Sequence, residues 1–282
     1  MRFKFSNRIG VLAAVSLVAA FAASGCAKAP AGTGTGPRLA VTLRFNGPIN
    51  PTYYYYVLIR NAPDTEQLNP TNYPIPIVTA PYAGNGFATD KFPKSGTAAF
   101  TDFILYGGGG QPTTSGYGVY HVLGYLRHGD PNNPATFRLD GNPDIAVRPS
   151  STDPNTLSFE ISLSRMRADA GECDTTVAGD CPTAKFLNIN VIATNKTASD
   201  PNSIDPQKYV DAIGDQSSQA SFTFNTVVTI ETAQVGRVYQ SSTSLGDPFY
   251  EPDGDAIDGA FSSPGHVDGA VELIAWQMQV KQ

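Results

Sequence analysis

The feature that most constrains the fold of this chain is a two-residue alternation of apolar and polar side chains. The alternation is clearest in TLSFEISLS, residues 156–164. The apolar side chains of this stretch are Leu157, Phe159, Ile161 and Leu163, and the polar ones are Ser158, Glu160, Ser162 and Ser164. Because successive side chains of a strand point to opposite faces, the pattern predicts a strand with one buried and one solvated face.

Similar strand patterns recur from residue 38 to the end of the sequence. They are separated by clusters of turn-forming residues, and the chain has 27 Gly and 22 Pro. Helical patterns are confined to residues 164–171 and 205–214, which could each form a turn or two. The other predicted strands are 38–46, 99–107, 117–127, 185–195, 220–232 and 271–281. In 38–46 a buried set alternates with a solvated set, and these sets are Leu39, Val41, Leu43 and Phe45 against Ala40, Thr42 and Arg44. In 271–281 one face is Ile274, Trp276, Met278 and Val280.

Many short strands with few short helices predict an all-β fold, either an antiparallel β-sandwich or a barrel, with long loops. No internal repeat is visible in the sequence, and no linker divides residues 38–282. We therefore predict one β-sandwich domain over that range.

The first 26 residues have the pattern of a bacterial export signal. Three basic residues precede an apolar run at residues 9–23, and small residues then lead to Cys26. The apolar run is shorter than the ~20 residues that span a bilayer, which favours a cleaved signal over a membrane helix. The AASGC segment that ends on Cys26 resembles the lipobox of bacterial lipoproteins.

The lipobox resemblance implies that residues 1–25 are removed and that Cys26 is lipidated. Residues 26–37 would then form the lipidated cysteine and a flexible tether rich in Gly, Pro and Thr. Several acyl chains on one cysteine would hold a domain to a bilayer without a spanning helix. We therefore expect a cell-envelope protein, and Ala27 after Cys26 favours the outer membrane or cell surface in a didermal host. The alternative is an ordinary signal peptide with an incidental cysteine.

The charge of the chain disfavours nucleic acid as a partner. The formal net charge is −6, and removal of the basic leader leaves the remainder more acidic. Acidic domains are poor ligands for phosphate backbones. The expected partners are the membrane, through the anchor, and a glycan or an envelope protein.

Two cysteines remain besides Cys26. Cys173 and Cys181 flank a seven-residue polar segment, DTTVAGD. In an oxidising compartment an even pair at short spacing predicts a disulfide. A metal site is the alternative, although no His or further Cys lies nearby in the sequence.

Three segments in order look like the second half of DOMON-like β-sandwiches, the superfamily that includes family-nine carbohydrate-binding modules. They are the strand and Ser-Leu-Ser turn at 157–164, LNINVIATN at 187–195 and YVDAIGD at 209–215. The start, RFNGPINPTYYYYVLI, and the terminal strand with Trp276 resemble a group of uncharacterised bacterial lipoproteins. The resemblance implies a jelly-roll or DOMON-like sandwich. Family-nine modules grip sugars between tryptophans, and this chain has a single Trp, so those residues do not carry over.

Four consecutive tyrosines begin the aromatic strand pattern YYYYVLIR at residues 53–60. Alternation sorts the pattern into two faces, and both faces are aromatic and then aliphatic. One face is Tyr53, Tyr55, Val57 and Ile59, and the other is Tyr54, Tyr56, Leu58 and Arg60. We interpret one face as the interior of a sheet. We predict that Tyr54, Tyr56 and Arg60 form a ligand-binding surface if loops leave them uncovered.

The segment EPDGDAID, residues 251–258, is the strongest cluster of polar side chains in the sequence. Its hard oxygen donors are Glu251, Asp253, Asp255 and Asp258. Calcium uses such donors in Gly-containing loops, although the spacing fails the EF-hand pattern. A structural calcium ion at these residues is one hypothesis, and an acidic surface loop without metal is the other. No other cofactor is expected.

The sequence contains no recognisable catalytic motif. His-Glu-x-x-His and Gly-x-Ser-x-Gly are both missing, and the glycine run at 107–110 lacks the Lys-Ser/Thr of a phosphate loop. Glu160 and Glu272 lie on predicted strands and could be the paired acids of a glycan hydrolase, although a solvated strand face is the simpler interpretation. We therefore predict no catalytic residues and a non-catalytic envelope protein that binds a glycan or protein partner. The alternatives are an extracytoplasmic glycan hydrolase and a purely structural envelope lipoprotein.

Overall fold

The computed structural model describes residues 36–62, 100–109, 113–123, 136–166, 184–196, 207–214, 226–251, 254, 257–258 and 268–282. All of them belong to the second of two units into which the chain divides, Gly34–Gln282. The strands within these residues are β1 (Arg38–Phe45), β2 (Tyr54–Ala62), β3 (Asp102–Gly107), β4 (Tyr117–Leu123), β5 (Thr136–Leu139), β6 (Ile145–Val147), β7 (Thr156–Ser162), β8 (Phe186–Thr194), β9 (Tyr209–Ala212), β10 (Val228–Glu231), β11 (Val238–Gln240), β12 (Ile257–Asp258) and β13 (Leu273–Lys281).

The strands form two sheets, and every pairing between named strands is antiparallel. The five-stranded sheet has the order β11-β13-β1-β7-β6. The eight-stranded sheet has the order β12-β9-β8-β2-β3-β4-β5, and β10 also pairs with β8. The predicted all-β, sandwich-like fold of two antiparallel sheets is confirmed.

Helical structure within the described residues is limited to one 3₁₀ turn, Leu163–Arg165, directly after β7. This turn overlaps the start of the range 164–171, where a helical turn is expected, and residues 167–171 lie outside the described residues. The expectation for residues 205–214 is wrong, because Tyr209–Ala212 forms β9. Hydrogen bonding to β8 outweighs the weak helical pattern there, and Val210 pairs with Thr194. No helix among these described residues is long and apolar enough to cross a membrane.

The apolar positions of the alternating strands meet between the two sheets. The five-stranded sheet contributes Leu39, Val41, Leu43 and Phe45 from β1, together with Leu157, Phe159 and Ile161 from β7. The eight-stranded sheet contributes Tyr55, Val57 and Ile59 from β2, together with Leu187, Ile189 and Val191 from β8. The interior face predicted for β2 is therefore Tyr55, Val57 and Ile59, with half-buried Tyr53 packed against it.

The terminal strand departs from strict alternation at its start. Trp276, Met278 and Val280 pack in the core as their spacing predicts, but Leu273 takes the interior place expected of Ile274. Arg44 pairs with Ala275 whereas Phe45 pairs with Leu273, so one residue of β13 is extra. This β-bulge shifts the side-chain pattern of the strand by one residue.

Tyrosine hydroxyls join the interior faces to surrounding backbone. The Tyr55 hydroxyl donates to the Ala270 carbonyl at 3.0 Å and accepts from the Asn50 amide at 3.0 Å. The Tyr117 hydroxyl donates to the Val147 carbonyl at 2.8 Å and accepts from the Ser158 amide at 3.1 Å. Tyr117 lies on β4, so its ring crosses the core and fixes the eight-stranded sheet against β6 and β7.

The glycine run after β3 begins with a close backbone approach. Gly107 has φ +89°, and a Cβ built there would lie 2.0 Å from the Tyr53 carbonyl oxygen. The Gly107 amide donates to the Gly116 carbonyl at 3.2 Å, where the antiparallel β3–β4 pair starts. A side chain at position 107 would therefore disturb the junction of β2, β3 and β4.

Candidate functional site

A row of aromatic rings crosses the outer surface of the eight-stranded sheet. Tyr54 stacks on Tyr56 with ring centroids 6.2 Å apart, Tyr56 contacts Phe103 at 6.0 Å, and Phe103 stacks on Tyr120 at 4.6 Å. Strand register explains the row, since Leu58 pairs with Phe103 and Phe103 pairs with Tyr120. These four rings are called the aromatic face below.

The aromatic face is largely covered. Tyr56 is 4% exposed and Arg60 is 2% exposed, whereas Tyr54 is half-buried. Burial, followed by the neighbouring Tyr54 and Tyr120 hydroxyls, raises the pKa of Tyr56 above its ordinary value. The assignment of Tyr54, Tyr56 and Arg60 to ligand binding stays a prediction, and of the three only Tyr54 offers substantial accessible surface.

A second group of polar side chains surrounds the buried His121. Its Nδ1 lies 2.5 Å from Asp102 Oδ1, and its Nε2 lies 3.2 Å from Asp140 Oδ2. Thr101 donates its hydroxyl to Asp102 Oδ2 at 2.7 Å. Both ring nitrogens therefore face carboxylate oxygens, and a catalytic triad instead needs one of them on a hydroxyl nucleophile.

Arg165 extends this group to the other sheet. Its guanidinium lies 3.1 Å from Asp140 Oδ2 and 3.2 Å from Asp144 Oδ1. Arg165 ends the 3₁₀ turn that follows β7 of the five-stranded sheet, whereas Asp102 and His121 lie on β3 and β4 of the eight-stranded sheet. The chain of contacts Asp102–His121–Asp140–Arg165 is called the inter-sheet polar chain below, because it ties the two layers together.

The titration of Asp140 reflects these contacts. Partial burial acts to raise its pKa, but hydrogen bonds and electrostatic attraction from His121 and Arg165 outweigh burial and lower the pKa below its ordinary value. No sequence pattern predicted this group, because Asp102, His121 and Asp140 meet only through the β3–β4–β5 register.

The acidic segment is only partly described. Glu251 is buried, and its Oε1 accepts from the Gly214 amide at 3.5 Å. Asp253 and Asp255 lie outside the described residues, as does the side chain of Asp258. No group of three or more potential metal ligands occurs among the described side chains. The calcium hypothesis therefore stays a prediction.

The predicted lipidation and disulfide sites lie outside the described part of the chain. Cys26, Cys173 and Cys181 all belong to ranges for which no structure is given, as do the leader and most of the tether. These assignments remain predictions from the sequence.

A polar groove opens on the outer surface of the five-stranded sheet, with a volume of about 310 Å³. It is called the polar groove below. Its lining residues are Thr42, Arg44, Thr156, Gln240, Ser241, Ala275, Trp276 and Gln277. Four strands build it. Thr42 of β1 pairs with Gln277 of β13, which pairs with Gln240 of β11, and Thr156 of β7 pairs with Arg44 of β1.

The bulge in β13 lies at one end of this groove. Arg44 is opposite Ala275, immediately before the register shift. A methyl group at position 275 leaves space beside the long Arg44 and Gln277 side chains, and β-bulges often re-aim side chains next to functional sites. The bulge and the small residue together shape the space in which Arg44 lies.

The groove lining contains no carboxylate, imidazole or thiol among the described residues. Glu160, one hypothesised hydrolase acid, lies outside it and is paired with Lys281 at 2.7 Å and Arg38 at 3.6 Å. Glu272, the other, is 7% exposed and also outside the lining. The two acids considered for hydrolysis therefore do not face each other across the groove.

Sequence reasoning did not identify the groove, although it did predict that residues such as Thr42 and Arg44 lie on the solvated side of β1. No family model, curated protein or solved structure matches the chain. The geometry of the chain itself is therefore the basis for proposing a function.

Proposed function

We propose that this protein is a lipid-anchored, extracytoplasmic β-sandwich that binds a glycan at the cell envelope without catalysing a reaction. The anchor rests on the lipobox-like segment that ends on Cys26. The ligand site rests on the polar groove. In this proposal the flexible tether lets the domain reach glycans near the membrane that carries it.

The chemistry of the groove is the single observation that supports glycan binding best. Its lining combines Ala275 and Trp276 with hydroxyls, amides and one guanidinium, contributed by residues such as Thr42, Gln277 and Arg44. Sugar hydroxyls both donate and accept hydrogen bonds, and Gln and Thr can do the same. A groove open along an exposed sheet surface also suits an extended chain of sugar units.

The absence of acids from the described groove lining supports binding over hydrolysis. Glycoside hydrolysis uses two carboxylates on opposite sides of the scissile bond. Glu160 is held in ion pairs with Arg38 and Lys281, and such pairing keeps a carboxylate occupied. A hydrolase would need a different acid pair at this surface.

A glycan array probed with the chain from residue 27 onward tests the proposal. We expect binding to a restricted set of glycans, with no release of reducing ends during long incubation. Binding to none of the glycans on a broad array would contradict glycan recognition. Release of reducing ends would contradict the non-catalytic assignment.

The anchor is tested separately with Cys26→Ala. The proposal expects wild-type protein in the membrane fraction, labelled by a fatty-acid analogue, and the variant in the soluble fraction without label. Continued acylation of the variant would contradict lipidation at Cys26.

A purely structural envelope role is the second candidate, and the packing of the consecutive tyrosines favours it. Tyr55 and Tyr56 are buried, and Tyr53 donates its hydroxyl to Asp268 at 2.8 Å. Tyrosines engaged in packing support a scaffold rather than an aromatic binding platform. Failure of all glycan binding together with an altered envelope in a deletion strain would favour this role.

A further inference from the structure

Arg44 is an unpaired positive charge in the polar groove. Among the described residues its side chain forms no hydrogen bond or ion pair, whereas Arg38 pairs with Glu160 and Arg165 pairs with Asp140 and Asp144. The chain as a whole carries a formal charge of −6. The groove therefore carries a local positive charge, whereas the protein as a whole is negatively charged.

The neighbours of Arg44 leave its guanidinium available to a ligand. Its cross-strand partners are Ala275 on β13 and Thr156 on β7, neither of which carries charge. The hydroxyl of Thr156 donates to Asp153 Oδ1 at 2.7 Å. Arginine binds carboxylates through two parallel hydrogen bonds, which are about twice as strong as neutral ones.

A row of polar side chains leads away from Arg44 across the sheet. Gln240, Gln277, Thr42 and Ser158 lie side by side on four adjacent strands, in direct register. Thr42 and Ser158 share a hydrogen bond at 3.2 Å. Adjacent strands are about 4.8 Å apart, so this row offers donors and acceptors over the length of two or three sugar rings.

We propose that the polar groove binds a glycan carrying a carboxylate, with Arg44 holding the carboxylate and the Gln277–Thr42 row holding sugar hydroxyls. This proposal rests on the glycan-binding function proposed above and names its ligand class. One cation in the groove matches one acidic sugar unit. The net negative charge of the protein disfavours ligands with many closely spaced acids.

An acidic peptide fits the same groove less well. Peptide recognition on a sheet usually adds a strand to an exposed edge or fills apolar pockets between strands. The groove lies on the face of the sheet, over its central strand β1, and six of its eight lining residues have polar side chains. The exposed apolar side chains Ile145 and Val147 lie on the edge strand β6, which does not line the groove.

The test uses full-length protein in detergent and pairs of oligosaccharides, each pair a neutral glycan and the same glycan with a single uronic acid. We expect the acidic member of at least one pair to bind, with an affinity at least about tenfold above its neutral counterpart. Arg44→Gln should remove that preference. Arg44→Lys should retain part of it, because the charge remains but the two parallel hydrogen bonds do not.

Arg138→Gln is the matched control, because Arg138 is an exposed arginine on β5 of the other sheet. It should leave binding unchanged. Equal binding of neutral and acidic glycans, unaffected by Arg44→Gln, would overturn this inference while leaving glycan binding intact. Binding of a tetraglutamate peptide in an Arg44-dependent way, with no acidic glycan bound, would overturn it in favour of a peptide ligand. Binding of nothing would overturn both proposals.

Discussion

The outer surfaces of the two sheets differ sharply although strands of similar length build them. On the eight-stranded sheet, Tyr56, Leu58 and Arg60 of β2 are buried on the side away from the sandwich interior. On the five-stranded sheet, Thr42 and Arg44 of β1 are exposed at the equivalent side. One outer surface thus contributes to packing, and the other is available to solvent and ligands.

The sequences of β1 and β2 explain the difference. In β1 every second residue is polar or small, so only Leu39, Val41, Leu43 and Phe45 drive burial. In β2 the side chains on both faces of the strand are aromatic and then aliphatic. Burial of each large apolar side chain contributes about 1.5–3 kcal/mol. A strand that is apolar on both sides is stable only when both sides are covered. The run of tyrosines in this chain therefore indicates a strand that is packed on both faces.

The inter-sheet polar chain should show the largest single effect, because both outer surfaces depend on the two sheets staying together. Asp102→Ala leaves both the buried His121 ring and the Thr101 hydroxyl without the Asp102 carboxylate as a partner, and each such loss costs about 1–3 kcal/mol. Urea unfolding followed by circular dichroism measures the loss. Asp102→Asn, which keeps a hydrogen-bond acceptor, should lose less. A loss below about 1 kcal/mol for Asp102→Ala would show that the chain does not support the fold.

Truncation on the two outer surfaces gives the most direct energetic comparison. Leu58→Ala, beneath the aromatic face, should cost about 2–5 kcal/mol because Leu58 is fully buried. Gln277→Ala, in the polar groove, should change stability by no more than about 0.5 kcal/mol. The unfolding midpoint of each variant measures this difference. Similar losses at the two positions would erase the contrast between the surfaces.

Substitution of glycine at the junction of β2 and β3 should have a smaller effect on stability, and a second glycine provides a matched control. Gly107→Ala places a Cβ against the Tyr53 carbonyl, whereas Gly109 also has positive φ but nothing within 4 Å of its Cβ position. The positive φ alone should cost about 1–2 kcal/mol in either variant. Gly107→Ala should therefore lower the thermal midpoint more than Gly109→Ala. Equal shifts would mean that the close approach carries no energetic cost.

The smallest effect is expected from the pH dependence of Asp140, whose side chain is 37% exposed. Its folded-state pKa is lower than its ordinary value of 3.8, so its stabilising contribution is complete above pH 3.8 and disappears as pH falls through the lowered value. Asp140→Asn should therefore be less stable than wild type near pH 6. The two proteins should converge in strong acid. A stability difference that stays constant down to pH 2 would contradict this linkage.

The sequence was sufficient to predict the sandwich and the interior sides of β1, β2 and β7, because local alternation encodes which side of a strand is apolar. It placed Ile274 wrongly, since a bulge depends on the partner strand. The Asp102–His121 contact and the polar groove could not be predicted from the sequence. Both depend on which strands pair, and Thr42, Gln240 and Gln277 are brought together only by the β11-β13-β1 order.

We place the proposed ligand site on the five-stranded sheet and not on the aromatic face. Two variants test it directly in one binding assay with a glycan selected from the array. Ala275→Trp fills the polar groove, and Leu139→Trp adds the same side chain beside Tyr120 on the eight-stranded sheet. We predict that Ala275→Trp weakens binding at least about tenfold with an unchanged fold by circular dichroism, whereas Leu139→Trp binds like wild type. Full binding by Ala275→Trp and loss of binding by Leu139→Trp would contradict the claim.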